Sequence, residues 1–236
     1  ANLNLYDSPN LRTLATQAVR GRQLRITALP LNTPTTPSGR QEEYPQETMG
    51  SVIEMALTVC LCEDNYPGWL AVEDLDLLQV APSPYQAASF TRDTIKTRLP
   101  QVIAFTQRAM QQPNHYLWGG TVGPNYDCSG LMQAAFLSAD IWIPRDAYQQ
   151  EDFVQTVGFH ELEPGDLVFF GSPEKATHVG MYLGDNRYIH SSGKDQGRNG
   201  IGIDELSPAS ADPVSQKYYA QFRGAGRVMV SYRPRE

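Results

Sequence analysis

Three observations predict an α+β chain. Short apolar runs separated by turn-rich stretches fill the first third. A helical pattern with one apolar face opens the remainder, and strand-like runs follow it. The 236 residues divide into a small all-β unit over 1–84, a linker over 85–99 and an α+β unit over 100–236.

The β unit rests on RQLRITALPL, GSVIEMALTVCLCED and GWLAVEDLDLLQV. Between the first two, LNTPTTPSGRQEEYPQE is rich in Pro, Thr and Gly and reads as an exposed loop. APSPYQ, with two prolines, marks the linker. RLPQVIAFTQRAMQQ then reads as a helix, with Pro100 in its first turn and Val102, Ile103, Phe105, Ala109 and Met110 near helical spacing. NHYLWGGTVGPNYD is a Gly-rich loop, and a second helix starts at Cys128. GDLVFFG is a short apolar strand, with Asp166 closing the turn before it. THVGMYLGDNRYIHSSG is a hairpin, GRNGIGIDEL a Gly-rich loop, and GRVMVSY the last strand.

Composition narrows the function. A net charge of −7 with 41% hydrophobic residues argues against nucleic-acid binding, which shows basic clustering. No apolar run approaches the roughly 20 residues of a membrane helix. The first residues show neither a basic n-region nor an apolar h-region, so a cytoplasmic location is expected, an exported form being the alternative. The three cysteines are Cys60, Cys62 and Cys128. Cys60 and Cys62, two apart on a strand, have Cα atoms about 6.6 Å apart and parallel Cβ vectors, which suits core residues better than a disulfide. Unpaired cysteines fit a reducing compartment. No metal is expected, since no His–carboxylate spacing suggests a site and Cys60-x-Cys62 lacks a second pair. GKDQGRNGIG lacks the ending of a phosphate-binding loop. No cofactor is expected.

A nucleophilic cysteine needs a base, and the base needs an orienting group. Cys128 starts a helix, where the dipole and free N–H groups favour a thiolate. His178 and His190 lie on the hairpin. A two-residue turn at Asp185-Asn186 puts them on opposite faces. A three-residue loop, Gly184-Asp185-Asn186, sets His190 opposite Gly180 on the face of His178, and Asn186 suits the left-handed position that such a loop requires. Gly180 leaves room between the rings. The backbone N–H of Cys128 is placed for a developing oxyanion. His115 and His160 have no evident partner.

HYLWGG, YDCSGL, LEPGDLVFF and THVGMYLGDNRYIHSSG, in this order over roughly 100–236, resemble the NlpC-type peptidoglycan endopeptidases, a papain-like family. The N-terminal unit resembles the bacterial SH3-like domains fused to such enzymes. The resemblance implies a papain-like domain with Cys128 as nucleophile, His178 as base, His190 as orienter and Tyr116 helping to hold the oxyanion. It further implies a γ-D-glutamyl-L-diamino acid endopeptidase acting, without cofactor and as a monomer, on a peptidoglycan stem peptide with a free L-alanine amine in cell-wall turnover or recycling. Asp127 and Ser129 would bind that amine, and Tyr66 would close the pocket. Asp127 is also a favoured N-cap, and Trp118 with its Gly pair shapes the cleft. Relatives carry a serine soon after an Arg, where this chain reads Arg145-Asp146-Ala147, so a hydroxyl contact to substrate is missing. The alternatives are an acyltransferase or amidase of the same fold, or a non-catalytic wall-binding protein.

Overall fold

Two antiparallel sheets organise the chain. The structure is a computed structural model and describes residues 1–28 and 56–234. The expected loop LNTPTTPSGRQEEYPQE and the start of GSVIEMALTVCLCED lie outside the described residues.

The first sheet has the order β2-β1-β5-β4-β3, built from β1 (Leu3–Tyr6), β2 (Leu14–Ala18), β3 (Leu24–Ala28), β4 (Ala56–Leu61) and β5 (Pro67–Ala71). Leu3, Leu5, Leu57, Val59, Leu61 and Leu70 form its core. The alternation of Leu57, Val59 and Leu61 is the period-2 pattern of a half-buried strand. Cys60 is buried and Cys62, just past β4, is half-buried; both are free thiols.

The first helix begins earlier than its sequence pattern suggests. α1 spans Arg92–Met110, capped by Thr91, whose hydroxyl accepts from the Thr94 N–H. Residues 92–99, assigned above to the linker, are therefore helical. Pro100 sits mid-helix, not in the first turn. It faces solvent, so the carbonyl left without an N–H partner is open to water, which lowers the usual cost of an interior proline. The buried stripe is Ile95, Leu99, Val102 and Thr106, an i, i+4, i+7, i+11 face.

α2 (Cys128–Leu137) and α3 (Ala147–Phe153) precede the second sheet, and α4 (Pro213–Tyr219) comes before its final strand. The sheet comprises β6 (Gln155–Val157), β7 (Leu167–Gly171), β8 (Ala176–Gly184), β9 (Arg187–Ser192), β10 (Gly200–Glu205) and β11 (Phe222–Arg227), in the order β10-β9-β8-β7-β11-β6. β7 is buried on both faces: Leu167 and Phe169 join the α1 and α2 core, while Val168 and Phe170 join Tyr182, Tyr188 and Tyr218. Helices packed on an antiparallel sheet, with a small all-β unit ahead of them, are the α+β architecture expected from the sequence.

Three assignments need correction. The last strand is Phe222–Arg227, not GRVMVSY; Asp166 pins it through two Arg227 contacts of 2.8 Å, while also accepting from the Glu163 N–H to close the turn before β7. GIGIDE is a strand, β10, not a loop. Its glycines are local accommodations: a Cβ on Gly202 would lie 2.6 Å from the Arg198 side chain, which crosses it. The hairpin turn has two residues, with Asp185 and Asn186 both at positive φ (53° and 54°) and Gly184 opposite Arg187. A bulge at Leu183 then restores Tyr182 opposite Tyr188 and Met181 opposite Ile189. One step further sets His190 beside Gly180, where a Cβ would approach that of His190 to 3.2 Å. The two histidines share a face, by a route other than the three-residue loop.

The two units are knitted together. Thr121 Oγ1 donates to the Gln17 carbonyl at 2.8 Å, Arg145 Nε donates to Thr16 Oγ1 at 2.9 Å, and Gln133 Nε2 donates to Asp64 Oδ2 at 2.9 Å. Arg22 pairs with Glu63 and Asp64 and stacks over the Trp142 ring.

Candidate active site

Cys128 is the first residue of α2, and Asp127 is its N-cap, accepting from the Gly130 N–H at 2.6 Å. The helix start is pressed against the Gly119-Gly120 turn: a Cβ on Gly130 would collide with the Gly120 carbonyl, and one on Gly119 (φ 75°) would lie 2.5 Å from the Leu14 carbonyl of the N-terminal unit. Gly130 of CSG and Gly119 together let the three pieces of backbone meet. The Cys128 sulfur accepts from the N–H groups of Ser129 and Val179, so it sits beside the residue that follows His178 on β8.

His178 Nε2 lies 2.6 Å from His190 Nδ1, and His190 Nε2 lies 2.6 Å from Asp204 Oδ2. A carboxylate only accepts, so His190 carries its proton on Nε2 and presents Nδ1 as acceptor to the His178 Nε2–H. The remaining nitrogen of His178, Nδ1, then holds a lone pair. Arg198 donates to the other oxygen of Asp204. The rings are enclosed by aromatic side chains: Tyr218 stacks on His178 at 4.5 Å, and Tyr188 lies 4.9 Å from His190. Asp204 is absent from the sequence reading. Its signal was available: on a strand paired with β9, Asp204 shares a face with Gly202, which opposes His190.

Burial sets the protonation states. It pushes the Cys128 thiol up to about 12, reinforced by the Asp127 charge and only partly offset by the two N–H donors and Arg145. Burial, with His190 beside it, holds His178 well below the ordinary histidine value; burial also lowers His190, although Asp204 opposes this. At neutral pH the resting site therefore holds a neutral thiol and a neutral imidazole. The thiolate expected from the helix dipole is outweighed by desolvation.

Cys128 opens into a cavity of about 380 Å³ lined by residues of both units, among them Asp7, Leu14, Tyr66, Tyr116, Trp118 and Asp146. Burial raises the Tyr116 hydroxyl above the ordinary tyrosine value. Tyr66 reaches across from the N-terminal unit to Asp146, its hydroxyl 3.2 Å from Oδ1. Burial raises the Asp146 carboxyl, against the opposing charge of Arg145. Trp118 is largely exposed at the cavity rim rather than packed beneath the cleft.

Asp127 and Ser129 line the cavity but are committed elsewhere. Arg145 donates to Asp127 at 3.1 and 2.5 Å through both terminal nitrogens and to the Ser129 hydroxyl at 2.9 Å, and the Gly119 N–H adds a further contact to the carboxylate at 2.9 Å. Arg145 and Asp127 compensate each other, both nearly buried. Asp146 and Asp7 are the cavity carboxylates that form no ion pair among the described residues. The sequence reading missed Asp146, whose position after Arg145 was its only signal. His115 and His160 lie outside this cluster.

The second unit of the chain is similar to known proteins. Residues 113–224 match the model of the NlpC/P60 family. The bifunctional muramidase/DL-endopeptidase CwlT of Bacillus subtilis is 41% identical over 81 residues, 33% of this chain and 25% of that protein. The γ-D-glutamyl-L-lysine dipeptidyl-peptidase of the same organism is 40% identical over 79 residues, 32% of this chain and 27% of that protein. The murein DD-endopeptidase MepS/murein LD-carboxypeptidase of Escherichia coli is 36% identical over 78 residues, 33% of this chain and 42% of that protein. The matched part thus spans between a quarter and about two-fifths of these relatives' lengths. The cysteine at the helix start and the two histidines on the facing sheet all fall within residues 113–224, the part of this chain that is similar to the NlpC/P60 family.

Proposed function

We propose that the chain is a cysteine endopeptidase that hydrolyses the γ-D-glutamyl-diamino acid bond of peptidoglycan stem peptides carrying a free N-terminal L-alanine. One observation carries this reading: Cys128, whose sulfur accepts from the N–H of the residue after His178 in the His178–His190–Asp204 chain, opens into a cavity whose other wall is the Tyr66–Asp146 contact between the two units.

The chemistry follows from the proton chain. His178 Nδ1 takes the Cys128 thiol proton as sulfur attacks the γ-carbonyl carbon. The oxyanion forms beside the Cys128 backbone N–H, a first-turn donor that the helix itself leaves without a partner, and the Tyr116 hydroxyl. His178 returns the proton to the departing amine as the C–N bond breaks. Water, deprotonated by His178, then cleaves the thioester and regenerates the thiol. The positive charge that passes onto His178 is shared with His190 and offset by Asp204.

The amine pocket is assigned to Asp146 and Tyr66, not to Asp127 and Ser129. Arg145 already neutralises Asp127, whereas Asp146 is a half-buried carboxylate raised by burial, a state that an ammonium would relieve. Because the N-terminal unit supplies Tyr66, Leu14 and Asp7 to the cavity, it shapes the site directly, which disfavours the reading in which it alone works as a wall-binding module. A pocket closed around a free amine suits fragments already trimmed from the wall, hence a role in recycling.

The test is incubation with L-Ala-γ-D-Glu-meso-diaminopimelate and with its N-acetylated form, followed by mass spectrometry, with Cys128→Ala in parallel. Release of L-Ala-D-Glu from the free-amine peptide alone supports the proposal. Cleavage of both peptides removes the amine pocket. Cleavage of neither by folded protein shifts the weight to the acyl-transfer or wall-binding readings.

A further inference from the structure

Lys175 stands out among the residues that line the active-site cavity. It is the last residue before β8, three positions ahead of His178. Its ammonium sits 3.8 Å from the centroid of the Tyr148 ring, also part of the cavity wall. The other cavity cation, Arg145, is consumed by Asp127. Lys175 forms no ion pair among the described residues. A cation held on an aromatic face keeps its position while retaining N–H donors for a ligand.

Its place in the cavity identifies the ligand. Tyr148, whose ring Lys175 faces, follows Asp146 by two residues, and all three line the cavity, so the two charged groups occupy the same end of it. A substrate reaching from the amine site at Asp146 to the Cys128 sulfur lays its L-Ala-γ-D-Glu portion along this wall. Apart from the amine, that portion carries one ionisable group, the α-carboxylate left free by the γ-linkage. Ala147, on the same wall, offers no polar side-chain atom.

We propose that Lys175, positioned by Tyr148, is the subsite for the α-carboxylate of the D-glutamyl residue. This rests on the function proposed above. The cavity is then a matched pair of charges, with Asp146 for the ammonium and Lys175 for the carboxylate of adjacent residues.

Two measurements test it. The first compares kcat/KM for L-Ala-γ-D-Glu-meso-diaminopimelate with that for the same peptide whose glutamyl α-carboxylate is a carboxamide. The wild type should favour the carboxylate by about tenfold or more, Lys175→Met should bring the ratio close to one, and Lys175→Arg should restore it. An unchanged ratio in Lys175→Met overturns the proposal. The second measures binding of the dipeptide L-Ala-D-Glu by titration calorimetry, without turnover. About tenfold weaker binding to Lys175→Met supports the subsite, and equal binding overturns it. If the wild type cleaves neither peptide, the proposed function fails, and calorimetry still decides the subsite.

Discussion

The Asp204 carboxylate lies 2.6 Å from His190 Nε2, and both side chains are buried. This contact sets where the protons sit on two successive imidazoles, and so leaves the lone pair on Nδ1 of His178.

Asp204→Asn should therefore be far more damaging than its size suggests. An amide can turn its NH2 toward His190 and reverse both tautomers, leaving His178 Nδ1 protonated. A fall in kcat of about 10²-fold or more is expected, as for a misassigned tautomer in a catalytic triad, with little change in KM. Steady-state kinetics check this. An effect confined to KM would separate Asp204 from proton transfer.

The pH dependence follows from the lowered histidines. His178 must be neutral to accept the thiol proton, and burial holds its pKa well below the ordinary value. The acid limb of kcat/KM should thus fall below about pH 6.5. The same shift acts on stability. An unfolded chain binds these protons near pH 6.5 and the folded chain does not, so stability is fully present above that pH and declines as the pH falls toward the folded values. Urea denaturation at pH 5 and pH 7 should show the loss, and His178→Gln should reduce the difference.

The Arg145–Asp127 pair is buried and bidentate. Removing one partner strands the other charge. Arg145→Met should cost about 3–5 kcal/mol, larger than the cost of Tyr66→Phe, by equilibrium urea denaturation. A loss under about 1 kcal/mol would mean that water or Asp127 protonation compensates at little cost.

Asp146→Asn should raise KM for the free-amine peptide about tenfold or more and leave the N-acetylated peptide unaffected, because only the former offers an ammonium. Equal effects on both would argue that Asp146 acts through α3, where it is the N-cap.

Much of this site is legible in the chain because its chemistry coincides with local patterns. Cys128 follows an N-cap, and His178 and His190 sit on strands whose alternation is readable around a turn. Asp204 is less legible because the glycines around it read as loop, whereas they exist to let Arg198 cross β10 and Asn114 approach Gly200. Asp127 misleads for a different reason. A carboxylate next to the nucleophile looks available, and only the fold shows Arg145 arriving from 18 positions away. The start of α1 was hidden by Pro100, which signals a first turn unless its exposure is known.

Leu183 gives the β8–β9 hairpin a parity. A two-residue turn alone would send His178 and His190 to opposite sides of the sheet; the single extra residue makes the count odd and reunites them. Chain length between these histidines is thus quantised in pairs. Deleting one residue there would exchange inside for outside along β9, breaking the His178–His190 contact while leaving both residues present in the sequence. Loss of two would preserve the phase. The hairpin can be shortened or lengthened only in steps that keep this count odd.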